Sequence, residues 1–102
     1  MAKYVKVTVL KSMLMDEIID KYAPGKIEPC TRCKVGDVFV TDGRNIPEGF
    51  CVWAWSDIFK DILMVRQDAK CGSKDGKCQI VSCTDGFRPV IFLIEPWDQE
   101  TV

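Results

Sequence analysis

The sequence predicts an α+β domain, with a mixed sheet of about four strands and two helices. Three observations carry that prediction. Residues 3–10 alternate with the period of a strand, while residues 52–67 repeat with the period of a helix. The elements follow one another as β-α-β-α-β-β, which suits a sheet with helices packed against it. The chain has 102 residues, 47% hydrophobic and 28% charged, the size and composition of one domain over 1–102.

In residues 3–10, Val5, Val7 and Val9 point one way and Tyr4, Lys6 and Thr8 the other, a half-buried strand. Ser12 offers an N-cap to a helix with Leu14, Met15, Ile18, Ile19 and Tyr22 on one side, ended by Pro24-Gly25. Residues 26–34 read as a loop and Val35–Thr41 as a strand, followed by turns at Asp42-Gly43 and Pro47-Glu48-Gly49. The strongest helix runs from about Val52 to Gln67, because Trp55, Ile58, Phe59, Ile62 and Leu63 share one face. Residues 68–77 are polar and turn at Asp75-Gly76. Gln79–Cys83 and Pro89–Glu95 are strands around a turn at Thr84–Phe87. The last strand is apolar on both sides, which predicts a central strand covered on both faces. The ordered core spans about 3–95, with a frayed tail after Pro96 apart from Trp97.

Lysine plus arginine total 14 and aspartate plus glutamate 15, a net charge of −1 without the basic surplus of a nucleic-acid binder. The N-terminus has no secretory h-region, and the longest apolar run, Val90–Ile94, is too short to span a bilayer. The expectation is a cytoplasmic protein with no nucleic-acid or membrane partner. There are six cysteines and no histidine. Mechanisms built on imidazole are therefore excluded, and thiolates become the reactive groups. A chain of this length folds without disulfides, so in a reducing compartment the cysteines want another explanation.

Cys30-Thr31-Arg32-Cys33 is a C-x-x-C, a spacing that lets two thiolates bind one metal. No second C-x-x-C completes a zinc ribbon. A thioredoxin-like pair would open a helix, whereas this one leads into a strand. Cys51 and Cys83 sit where loops can converge on Cys30 and Cys33, which suits a shared iron–sulfur cluster better than zinc. The plain alternative is that these cysteines pack as small hydrophobes. Cys71 and Cys78 bracket a polar hairpin and are either a local disulfide pair or additional thiols. Asp85 and Arg88 could bind an anion at the end of a central strand, or simply form an Asx turn and its ion pair. Trp53 and Trp55 could line a ligand pocket or belong to the core.

Three stretches resemble a family of small uncharacterised prokaryotic proteins, many of which look like proteins of anaerobes. They are Gly36-Asp37-Val38-Phe39, then Gly49-Phe50-Cys51-Val52-Trp53-Ala54-Trp55, then Cys83-Thr84-Asp85-Gly86-Phe87-Arg88-Pro89-Val90-Ile91-Phe92. The resemblance covers about residues 3–95 and implies architecture more than activity. It places the family's recurring cysteines on Cys30, Cys51 and Cys83. Many members carry histidine where this chain has Cys33, an exchange that a metal-ligand position tolerates. Cys71 and Cys78 look peculiar to this branch.

Three expectations follow. The first is a small metal or iron–sulfur protein with Cys30, Cys33, Cys51 and Cys83 as ligands, in a redox, sensing or cofactor-handling role. It would act with a redox partner protein, and its site could be completed in a homo-oligomer. The second is a metal-free binding module with a pocket of Trp53, Trp55, Asp85 and Arg88. The third is a thiol-dependent enzyme using Cys51 or Cys83.

Overall fold

Valine at every second position builds β1 (Tyr4–Ser12), the longest strand of the computed structural model, which describes residues 1–102. It is followed by α1 (Asp16–Tyr22), β2 (Val38–Thr41), α2 (Val52–Arg66), β3 (Gln79–Ser82) and β4 (Val90–Trp97). The four strands form one sheet in the order β2-β1-β4-β3. The α+β class and the count of elements agree with the sequence. The sheet itself is antiparallel at every pairing and not mixed. The cause is the chain order: the two strands of each direction never become neighbours, because the connection carrying α2 runs from one sheet edge to the other.

The core lies between α2 and one face of the sheet. Val5, Val7 and Val9 of β1 and Val90, Phe92 and Ile94 of β4 are buried there, against Ala54, Ile58, Ile62 and Val65 of α2. Spacings of four, four and three residues put these α2 side chains on one stripe. Burying each of the larger ones is worth about 1.5–3 kcal/mol. Phe50, just before α2, meets Phe39 edge-on with centroids 4.9 Å apart and lies 5.6 Å from Phe92. No helix is long and apolar enough to cross a membrane.

Several local expectations are corrected. Ser12 ends β1 instead of capping a helix, and α1 starts at Asp16, with Met15 at the N-cap position and no side-chain cap. The reason is tertiary pairing: the N–H groups of Met13 and Met15 bond the carbonyls of Pro89 and Phe87 at 2.9 Å and hold this stretch extended. Ala23 is extended, as the residue before a proline must be, and this ends α1 before Pro24. β2 starts later than Val35, because Gly36 adopts a positive φ of 94° and turns the chain. β4 continues through Trp97, which pairs with Tyr4 and lies 3.6 Å under the Lys6 ammonium. β4 is central, between β1 and β3, but α2 covers only one of its faces.

Candidate functional site

Four separate pieces of chain meet at one end of the α2–sheet interface. The loop before β2 brings Cys30 and Cys33. Cys51 occupies the N-cap of α2. Cys83 follows β3 directly, at the start of the turn to β4. All four line a single cavity of about 250 Å³, floored by Val90 and Phe92 of β4. The first turn of α2, through Val52, Trp53 and Ala54, forms one wall. That turn lacks acidic residues and a side-chain cap, so its free N–H groups leave a positive field at the cavity.

Cys33 is the deepest of the four, with 2% of its surface exposed. Burial pushes its thiol up to about 11, and Cys30, Cys51, Cys83 and Asp37 add to the rise by facing it with negative charge. Cys30, Cys51 and Cys83 are half-buried and pack against the core. The sulfur of Cys83 accepts the Val90 N–H at 3.3 Å. No group of three or more cysteine, aspartate or glutamate side chains is gathered as a single metal ion would require.

A polar lattice fixes the Cys83 turn to α2. The Trp53 indole N–H donates to Thr84 Oγ1 at 2.8 Å, and the Thr84 N–H donates to Asp57 Oδ2 at 2.8 Å. Asp85 accepts the N–H groups of Phe87 and Arg88 and pairs with Arg88 Nε at 3.0 Å. Burial works to raise the Asp85 carboxyl, but the Arg88 side chain and these two N–H groups outweigh it and hold the group below its ordinary value. Asp85 and Arg88 thus form the Asx turn and ion pair while both also line the cavity.

The predicted site residues separate clearly. Cys30, Cys33, Cys51, Cys83, Trp53, Asp85 and Arg88 share the cavity, and Trp55 does not. Trp55 packs with Phe50 and Phe59, because two helical residues span about 200° and cannot face one pocket. Cys71 and Cys78 lie apart, on the loop between α2 and β3, and neither is in a disulfide. Burial first, then Asp61, raises the Cys71 thiol; burial first, then Asp75 and Glu95, raises that of Cys78. Arg32 lines the cavity and was missed by sequence reasoning, although its place between the two C-x-x-C cysteines was the signal. Thr84 and Asp57 left no sequence signal, being 27 residues apart.

No protein-family model, no curated protein and no solved structure matches the chain, so the reading of this cavity rests on its own residues.

Proposed function

We propose that this chain is a cysteine-ligated metal protein, with Cys30, Cys33, Cys51 and Cys83 holding an iron–sulfur cluster in a redox, sensing or cofactor-handling role. The observation that carries the reading is the convergence of these four thiols on one cavity of about 250 Å³. A single zinc ion would sit about 2.3 Å from each sulfur and would need sulfurs about 3.8 Å apart. Zinc is the alternative occupant of the same four thiols. A bound cluster supplies one-electron chemistry tuned by hydrogen bonds to its sulfurs and by nearby charge. The chain's own residues contribute to both: Val90 donates its N–H to Cys83, and Arg32 and Arg88 place cations at the rim.

The resemblance drawn from the sequence points the same way, since Cys30, Cys51 and Cys83 fall on that family's recurring cysteines. Six unpaired thiols suit a reducing, cytoplasmic setting. Trp53, 64% exposed beside the cavity, gives a redox partner protein an apolar place to meet it. A metal-free anion pocket is the second reading, favoured by Arg32 and Arg88 on the lining. A thiol enzyme using Cys51 or Cys83 is the third reading, supported by the place of both thiols on the cavity.

Anaerobic purification with an absorption spectrum and iron, sulfide and zinc analysis tests the proposal. A brown protein with iron and sulfide supports it, and Cys51→Ser should then bleach most of the colour. A colourless, metal-free protein with six titratable thiols overturns it. In that case quenching of Trp53 fluorescence by small anions, unaffected by chelators, would identify the second reading.

A further inference from the structure

α2 covers one face of the sheet, and no helix covers the other. Strand pairing sets Lys6 beside Val40, Thr8 beside Val38 and Leu93, and Leu93 beside Ile80, all on that second face. Lys11 and Ser82 flank Ile91 on the same side. Val38, Val40, Ile80, Ile91 and Leu93 belong neither to the core nor to the apolar side chains packed against it. Ile80 is 52% exposed.

α1 is equally without a partner. It has no buried residue and no substantial packing against another element. Its Ile18 and Tyr22 are 41% and 69% exposed. The stretch from Met13 to Met15 is pinned in extended form by its bonds to Pro89 and Phe87, which carries α1 past the end of the sheet.

The chain is also more extended than a compact monomer of its length. Its radius of gyration is 14.4 Å, against about 12.8 Å for a compact chain of this length. It exposes 6620 Å², against about 5,800 Å² for a compact monomer of 11.6 kDa. The excess over the whole chain, about 800 Å², is of the size that one partner contributes to a standard protein–protein interface. The charges are complementary as well: α1 carries Asp16, Glu17 and Asp20 with one lysine, Lys21. On the bare face Lys6 is already paired with Glu95 at 3.6 Å, which leaves Lys11 as its free cation.

We propose that a second copy of this chain covers the bare face, in a symmetric dimer where α1 of each copy lies across the β1–β4 face of the other. A surface holding both the helix and its receptor is self-complementary, as a twofold interface requires. Ile18 and Tyr22 would pack on Ile80, Ile91 and Leu93, and the α1 acids would meet Lys11. The proposal is independent of what fills the thiol cavity, which lies on the α2 side.

Sedimentation equilibrium of the full chain, with isotope-filtered NOE spectra of a mixed labelled and unlabelled sample, tests it. The expected result is a dimer with micromolar Kd and intermolecular NOEs linking Ile18 or Tyr22 to Leu93 or Ile80. Tyr22→Asp and Ile80→Asp alter residues exposed in the monomer, so near-UV circular dichroism should stay unchanged. Each should weaken the dimer by about a hundredfold or more, since a charge would be trapped in an apolar contact. A chain that is monomeric throughout, a dimer unaffected by both substitutions, or α1–sheet NOEs within one copy would each overturn the proposal.

Discussion

A thiol must lose its proton to bind a metal, and Cys33 holds its proton firmly. Burial, and then the neighbouring thiols and Asp37, take it from an ordinary 9.0 to about 11. Two consequences follow at neutral and alkaline pH. If Cys33 ligates a metal as proposed, binding releases its proton, and apparent affinity should rise about tenfold per pH unit for that thiol, up to about pH 11. A competition titration against a chelator of known affinity measures this slope, and Cys33→Ala should reduce it by one. In the metal-free chain the linkage has the opposite sign. Between pH 9 and 11 the unfolded chain ionises Cys33 while the folded chain keeps it protonated. Stability is therefore fully present below pH 9 and is lost as pH rises towards 11. The urea midpoint of the reduced, chelated protein should fall between pH 8.5 and 10.5, and fall less in Cys33→Ala. Cys30 and Cys33 were legible in the sequence through their spacing. Arg32 was not, because an arginine inside a C-x-x-C is equally compatible with solvent.

At the scale of elements, α2 organises both the core and the cavity. Its buried stripe was readable in part from the helical period. Ile58 and Ile62 are wholly enclosed, but Trp55, Phe59 and Leu63 are only half-buried. Ala54, Asp61 and Val65 complete the stripe, because the sheet meets the helix one residue round. Ile58→Ala should cost about 2–5 kcal/mol in denaturant unfolding, the usual loss for a buried isoleucine that leaves a cavity. The approach to α2 depends on a tight turn after β2. There Gly43 has a φ of +88°, and a Cβ would stand 2.7 Å from Arg66 Cδ. Its N–H bonds Thr41 Oγ1 at 3.0 Å, which in turn donates to the Asn45 carbonyl at 2.7 Å. Gly43→Ala should destabilise by about 1–3 kcal/mol, from left-handed backbone strain and the displaced arginine. Gly25→Ala, with nothing within 4 Å and no positive φ, should be near neutral by the same measurement. Helix ends were harder to read than helix faces. Ser12 looks like a cap because caps are local, yet its fate was decided by Pro89 and Phe87, more than seventy positions away.

Across the whole molecule, the thiol cavity joins the loop before β2, the start of α2 and the turn after β3. Filling it would cross-link pieces that are otherwise held by packing and a few hydrogen bonds. A metal held at about a hundred times its Kd adds about 2.7 kcal/mol of stability. For a domain near this size that is a rise in Tm of roughly 10–20 °C over the chelated protein. Calorimetry with and without chelator measures it. A rise of that size in Cys71→Ser, and its loss in Cys83→Ser, would assign the effect to the cavity rather than to the other loop.

The sequence by itself determined the α+β class, the buried face of β1, the Ile58 and Ile62 part of that of α2, and the special place of cysteine in a chain without histidine. Each of these depends on periodicity or composition, which short-range physics sets. The tertiary structure alone decided which cysteines meet, since Cys30, Cys51 and Cys83 come together only when β3 and β4 pair and α2 settles on them. It also decided that the apolar second side of β4 stays bare. Periodicity shows that a face is apolar, but what covers it depends on where the remaining chain can reach, and α1 is held past the end of the sheet.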